Sequence, residues 1–202
     1  MKKMFWFIVA LLFMTLNVLA ADYKEGVHYT AIREKASLTP EITSFFSFYC
    51  GHCYQFSQME IPKMKAQLPQ GVSFKQVQVA AVGGPMGEEM TKAFAIAQLL
   101  NVEEVIEGAL FRAVHKERVR FTQLDDIKRV FVDNGIDSAE FDAAAASFMV
   151  TSKVAQMKQA VKDAEIVGVP TLIVNGKYRV ETRAIKSYDE MRQIAYYLTG
   201  LN

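Results

Sequence analysis

Apolar and polar positions change rhythm several times along this chain. Ile42 to Tyr49 is an almost continuous apolar and aromatic run interrupted by small hydroxyl residues, and such a run predicts a buried central strand. From Cys53 to Leu68, Phe56, Met59, Met64 and Leu68 recur at helical spacing until Pro69-Gln70-Gly71 ends the segment. Val72 to Val82 is strand-like again, with Phe74, Val77 and Val79 as β-formers. Strand, helix, strand predicts a parallel pair in an α/β sheet. A short edge strand is expected over His28–Ile32. Near the other end, Thr171–Val174 and Tyr178–Val180 flank Asn175-Gly176, the strongest short signal for a hairpin, and Ser187–Leu198 reads as a closing helix.

Between these two parts the strand character disappears. Gly87 to Leu100 places Met90, Phe94 and Ala97 on one face; Thr122 with Asp125 and Asp137 with Glu140 look like helix starts, and Asn134-Gly135 like a stop. The chain is therefore expected to divide into a first α/β part at 21–81, an all-α helical insertion at 82–156, and a second α/β part at 157–202. At 202 residues, 51% hydrophobic and 22% charged, it can build a packed core.

Residues 1–20 stand apart. Lys2 and Lys3 precede an apolar run from Phe5 to Leu19, and Val18-Leu19-Ala20 supplies small side chains at cleavage spacing, the form of a secretory signal peptide. A transmembrane anchor is the competing reading, but the run falls short of about 20 apolar residues. Losing Lys2 and Lys3 from the 23 basic residues leaves 21 against 22 acidic ones, a net charge of −1. That balance offers nothing to nucleic acid, and the absence of a like-charge run argues against a membrane-surface patch. Export would deliver the chain to a compartment where disulfides persist.

The chain has two cysteines, both in Cys50-Gly51-His52-Cys53 at the junction of the predicted strand and helix. A purely structural disulfide closing so short a loop would stabilise by only about 2 kcal/mol. A zinc site calls for four ligands, usually from two separated pairs; no second pair exists, and His28 and His115 lack ligand spacing. Covalent haem attachment needs a histidine directly after the second cysteine, and Tyr54 stands there. The favoured reading is a dithiol that cycles, with no bound metal or cofactor. A cysteine where a strand becomes a helix meets free backbone N–H groups and the positive end of the helix dipole, and both favour thiolate. Cys50 is then the exposed, reacting sulfur and Cys53 the resolving one, with His52 donating to the Cys50 sulfur or standing as a cation beside it. Each pKa unit by which Cys50 is lowered stabilises the reduced form by about 1.4 kcal/mol, so a large depression makes the disulfide the state that is handed on.

Phe45 to Phe56 around this pair, Gly168-Val169-Pro170 downstream, Asn175-Gly176-Lys177-Tyr178, Leu68-Pro69-x-Gly71 and Gly83-Gly84 together resemble the DsbA family of periplasmic thiol:disulfide oxidoreductases. The resemblance implies a thioredoxin-like fold interrupted by a helical insertion, a cis bond before Pro170, and a substrate-binding role for Val169 and Pro170, with Val169 offering its backbone to an extended segment as in strand addition. It also implies reduced or unfolded secreted proteins as partners and re-oxidation by a membrane quinone oxidoreductase resembling DsbB. A monomer is expected.

Two positions depart from the family. Gly51 replaces the usual proline, giving the Gly-His pair typical of disulfide isomerases, and glycine loosens the first helical turn by up to about 1 kcal/mol. Ser44 and Ser57 stand where some members carry buried glutamates. Gly51 keeps an isomerase or reductase as the alternative, although the stretch before the first strand leaves no room for the N-terminal dimerisation domain that periplasmic isomerases of this fold add. A redox-inactive peptide-binding chaperone with a vestigial pair is the reading from another class. Gly83-Gly84-Pro85-Met86-Gly87 lacks the Gly-Lys-Ser/Thr of a phosphate loop and reads as a crossing turn. Met59, Met64 and Met90 read as core filling, or as an adaptable apolar groove, and His115 as a solvated helix-end residue.

Overall fold

The computed structural model describes residues 23–201, so the expected signal peptide lies outside the described residues. The sheet runs in the order β1 (Tyr29–Ala31), β5 (Tyr178–Val180), β4 (Thr171–Val174), β2 (Glu41–Phe46), β3 (Ser73–Gln78). Only β2 and β3 are parallel, with Phe45 opposite Val77, and the other neighbours are antiparallel. The α/β architecture with a parallel opening pair is thus the one the pattern predicts. The Asn175-Gly176 hairpin is present with φ of 52° and 62°, the left-handed pair that matches the twist of the flanking strands. Asn175 also works across the fold: its Oδ1 accepts from Glu41 N at 3.1 Å and its Nδ2 donates to Leu201 O at 3.1 Å.

The helix predicted from Cys53 to Leu68 is two helices, α1 (Gly51–Met59) and α2 (Ile61–Ala66), broken at Glu60. Pro62 has no N–H to give the preceding turn, so the chain starts again there. Next come α3 (Pro85–Leu99), α4 (Glu103–His115), α5 (Leu124–Asp133), α6 (Ser138–Ala145) and α7 (Phe148–Asp163), with α8 (Tyr188–Thr199) closing the chain. Helix α7 runs unbroken through residue 156 to Asp163 and packs on both α3 and β3. Asp137 caps α6 by accepting from the N–H groups of Ala139 and Glu140. Thr122 does not cap α5; Asp126 instead turns back to its N–H and hydroxyl at 2.9 and 2.7 Å.

Two apolar clusters hold these layers. Phe56, Ile61 and Met64 from α1–α2 meet Leu172, Val174 and the α8 residues Met191, Ile194 and Leu198. The opposite side, with Phe45, Val77 and Ile173, continues into α3–α7 through Phe94, Phe111 and Phe131. Among the described residues no helix is long and apolar enough to cross a membrane.

Candidate active site

Strand β2 ends at Phe46, and the next four residues form a tight turn in which Cys50 N donates to Ser47 O at 3.0 Å. The Ser47 hydroxyl accepts from Tyr49 N at 3.2 Å, and Ser47 itself is fully buried. The turn delivers Cys50 to the N-cap of α1 with φ −95° and ψ 114°. Its Sγ accepts the N–H of Cys53 at 3.2 Å, doing what a serine hydroxyl does at an ordinary N-cap.

That position separates the two thiols. Cys50 is half-buried and Cys53 is 2% exposed. A hydrogen bond from the Cys53 thiol, then the backbone N–H groups of Cys53 and His52, then the His52 charge outweigh partial burial and bring Cys50 down to about 6. The same pairing and its own burial push Cys53 upward. The backbone of His52 thus contributes ahead of its ring, which lies exposed. Gly51 begins the helix at an exposed position where an added Cβ would meet nothing within 4 Å.

Across from Cys50 lies the turn before β4. The Val169–Pro170 bond is cis, and the Cys50 thiol donates to Val169 O at 3.4 Å. Cys50, Gly51, His52, Cys53, Val169 and Pro170 therefore meet at one place. His52, Gly168, Pro170 and Tyr188 line an open groove there, continued by an apolar one along Met59, Ile185 and Met191. Met64 and Met90 are core, as one reading had it, whereas Met59 is 57% exposed. Among the described residues no three His, Cys, Asp or Glu side chains converge where an ion could sit.

Three neighbours escaped sequence reasoning. Tyr188 packs edge-on against Phe56 at 5.3 Å and its hydroxyl donates to His52 O at 3.5 Å; nothing in its local pattern signals this. Gly83, with φ of 104°, lets the Tyr49 ring lie where a Cβ would be, and Gly-Gly was its only signal. His115 is not solvated: it is half-buried, with Nε2 2.8 Å from Phe48 O and its ring stacked on Tyr54. At the departing positions, Ser44 is buried beside β3 and Ser57 donates to Tyr54 O at 2.8 Å.

A family model described as a DSBA-like thioredoxin domain matches residues 41–199. The thiol:disulfide interchange protein DsbA of Escherichia coli strain K12 is 37% identical over 187 residues, spanning 92% of this chain and 89% of the relative. Its counterpart in Yersinia pestis is 38% identical over 181 residues, 89% of this chain and 86% of the relative. Among solved structures, Pseudomonas aeruginosa DsbA is similar with a TM-score of 0.79 at 26% identity, covering 89% of this chain and 94% of its own. Proteus mirabilis DsbA with a non-covalently bound peptide PWATCDS has a TM-score of 0.73 at 35% identity, covering 88% of this chain and 95% of its own.

Proposed function

Starting from a chain that belongs to the DsbA family of thioredoxin-like proteins and is a thiol:disulfide oxidoreductase, we propose that it is an exported donor of disulfides, acting in the periplasm on reduced or unfolded secreted proteins. The observation that carries this reading is the Cys50 sulfur seated at the N-terminus of α1 with the Cys53 N–H aimed at it from 3.2 Å, because donors fixed there favour thiolate over thiol and so favour the reduced enzyme.

A substrate thiolate attacks the Cys50 sulfur of the Cys50–Cys53 disulfide. The Cys50–Cys53 bond breaks as the mixed disulfide forms, and the electron pair leaves on Cys53, which takes up a proton because its buried site disfavours the anion. The substrate's second thiol gives up its proton and attacks the substrate sulfur of the mixed disulfide, expelling Cys50 as a stabilised thiolate. Two electrons have then moved to the enzyme, the substrate holds a new disulfide, and one of the two thiol protons goes to solvent. Val169 and Pro170, facing Cys50, seat the extended substrate segment in this reading; that the Proteus mirabilis relative carries a non-covalently bound peptide supports a peptide as the kind of substrate. A membrane quinone oxidoreductase resembling DsbB restores the disulfide.

Equilibration of the mature protein with glutathione mixtures, together with ultraviolet titration of Cys50, tests the reading. A Cys50 transition near 6 and an oxidised form that melts below the reduced one are expected. Because the folded pKa is depressed from 9.0, the advantage of the reduced fold is complete above about pH 9 and is lost as pH falls through about 6. An ordinary thiol pKa removes the donor role. A mildly oxidising potential selects the isomerase or reductase reading to which Gly51 points, and no thiol exchange at all selects a redox-inactive chaperone.

A further inference from the structure

We propose that His115, at the end of α4 and far from the Cys-x-x-Cys segment in sequence, is a positioning residue for Cys50, acting through a hydrogen bond to the carbonyl of Phe48. The inference rests on the thiol–disulfide chemistry assigned above and adds a residue from the helical layer to it.

Phe48 lies in the turn that carries Cys50 and is fully buried, so its carbonyl is cut off from bulk water. A carbonyl can only accept, so His115 donates through Nε2–H across 2.8 Å. The same ring lies flat on Tyr54 at 5.1 Å and 7°, and Tyr54 directly follows Cys53. One imidazole therefore holds the chain just before Cys50 and just after Cys53. Phe111, one turn earlier on α4, backs both the Tyr54 and Phe48 rings at 5.8 and 5.0 Å. The arrangement joins α4 to the redox turn at two points, and neither is a reacting atom.

The consequence for Cys50 follows from how its sulfur is stabilised. The Cys53 N–H reaches that sulfur only while Cys50 keeps its N-cap conformation at the end of the Ser47–Cys50 turn. Without the His115 donor, the buried Phe48 carbonyl is left without that partner and the turn gains by rotating to find another. The thiolate needs the aligned donor and the disulfide does not. Loss of His115 therefore raises the energy of the reduced, ionised state and makes the protein a weaker oxidant.

His115→Phe keeps an aromatic ring on Tyr54 and removes the donor, whereas His115→Gln restores an N–H the same number of bonds from the backbone. Both variants are purified as the full mature chain, their folding checked by circular dichroism and melting, and Cys50 is titrated and equilibrated with glutathione. The Phe variant is expected to ionise at Cys50 about three- to tenfold less readily, a shift of about half a unit to one unit upward. Its reduced form should be disfavoured against glutathione by a similar factor, and the Gln variant should recover most of both. A wild-type Cys50 that titrates low and a folded Phe variant that matches it overturn this inference alone. So does a Gln variant that fails as badly as the Phe variant in titration while melting like the wild type. A wild-type Cys50 with an ordinary pKa removes the donor function and this inference with it.

Discussion

Glu60 and Glu107 are both buried carboxylates beside the α1–α2 pair, 3% and 6% exposed, yet their surroundings make them opposites. Glu60 stands at the break between α1 and α2 and is shared by two cations, Lys63 at 2.8 Å and Arg192 of α8 at 3.2 Å. Arg192 also reaches Gln67 at 2.6 Å and pairs with Asp189. Glu107 on α4 has an amide instead, accepting from Gln76 of β3 at 2.9 Å. Burial, aided by Glu104 and Glu103 and opposed by the Gln76 bond and Lys65, brings Glu107 up to about 7. Lys65 itself pairs with Glu104 at 2.9 Å and does not overcome the burial of Glu107. One flank of the active-site helix is therefore closed by compensated charge and the other by a carboxyl that folds more easily with its proton on. Burial alone does not decide whether a glutamate helps; its partners do.

The contrast breaks most visibly at Glu60. Glu60→Ala leaves Arg192 nearly buried with only Asp189 as a carboxylate partner, and about 3–5 kcal/mol should be lost in urea unfolding at pH 7, with melting of α8 contacts reported by the tyrosines. Glu107→Gln should act in the other direction. The folded pKa of Glu107 lies above its ordinary 4.5, so its penalty is absent below that value, grows as pH rises, and is complete above about 7. The Gln variant should be about 3 kcal/mol more stable than the wild type at pH 8 and equal to it at pH 4; equal stability at both pH values would show that Glu107 is not desolvated.

Smaller effects are expected at the helix ends. Ser187 caps α8 by accepting from Glu190 N, and Asp137 caps α6, so Ser187→Ala and Asp137→Ala should each cost about 1 kcal/mol. Neither should move the Cys50 titration, which separates helix stability from redox tuning. The smallest effect is expected at the site itself: Gly51→Pro places proline at N1 of α1 in open space, where its fixed φ suits a helix start and the unfolded chain loses freedom. A gain of about 0.5 kcal/mol is expected in thermal melts of the oxidised form.

Much of this molecule follows from local pattern. The parallel β2–β3 pair, the Asn175-Gly176 hairpin and the closing helix all follow from side-chain period and turn chemistry, which act within a few residues. The dithiol is legible for the same reason: a cysteine at a strand-to-helix junction meets free N–H groups wherever the chain goes next. The α1–α2 break has a local sign too, Pro62, but the helical period of the apolar positions runs past it.

Other features depend on segments brought together from far apart. No spacing relates His115 to Phe48, Tyr188 to His52, Gly83 to Tyr49, or Arg192 to Glu60, because each pair is joined only when helices from separate parts of the chain pack onto the sheet. Which sulfur could become an anion is a matter of local chain order, since backbone donors at a helix start are a local property. Tertiary structure alone decided what holds that sulfur's turn in place and what faces it, since those contacts are made by burial between elements remote in sequence.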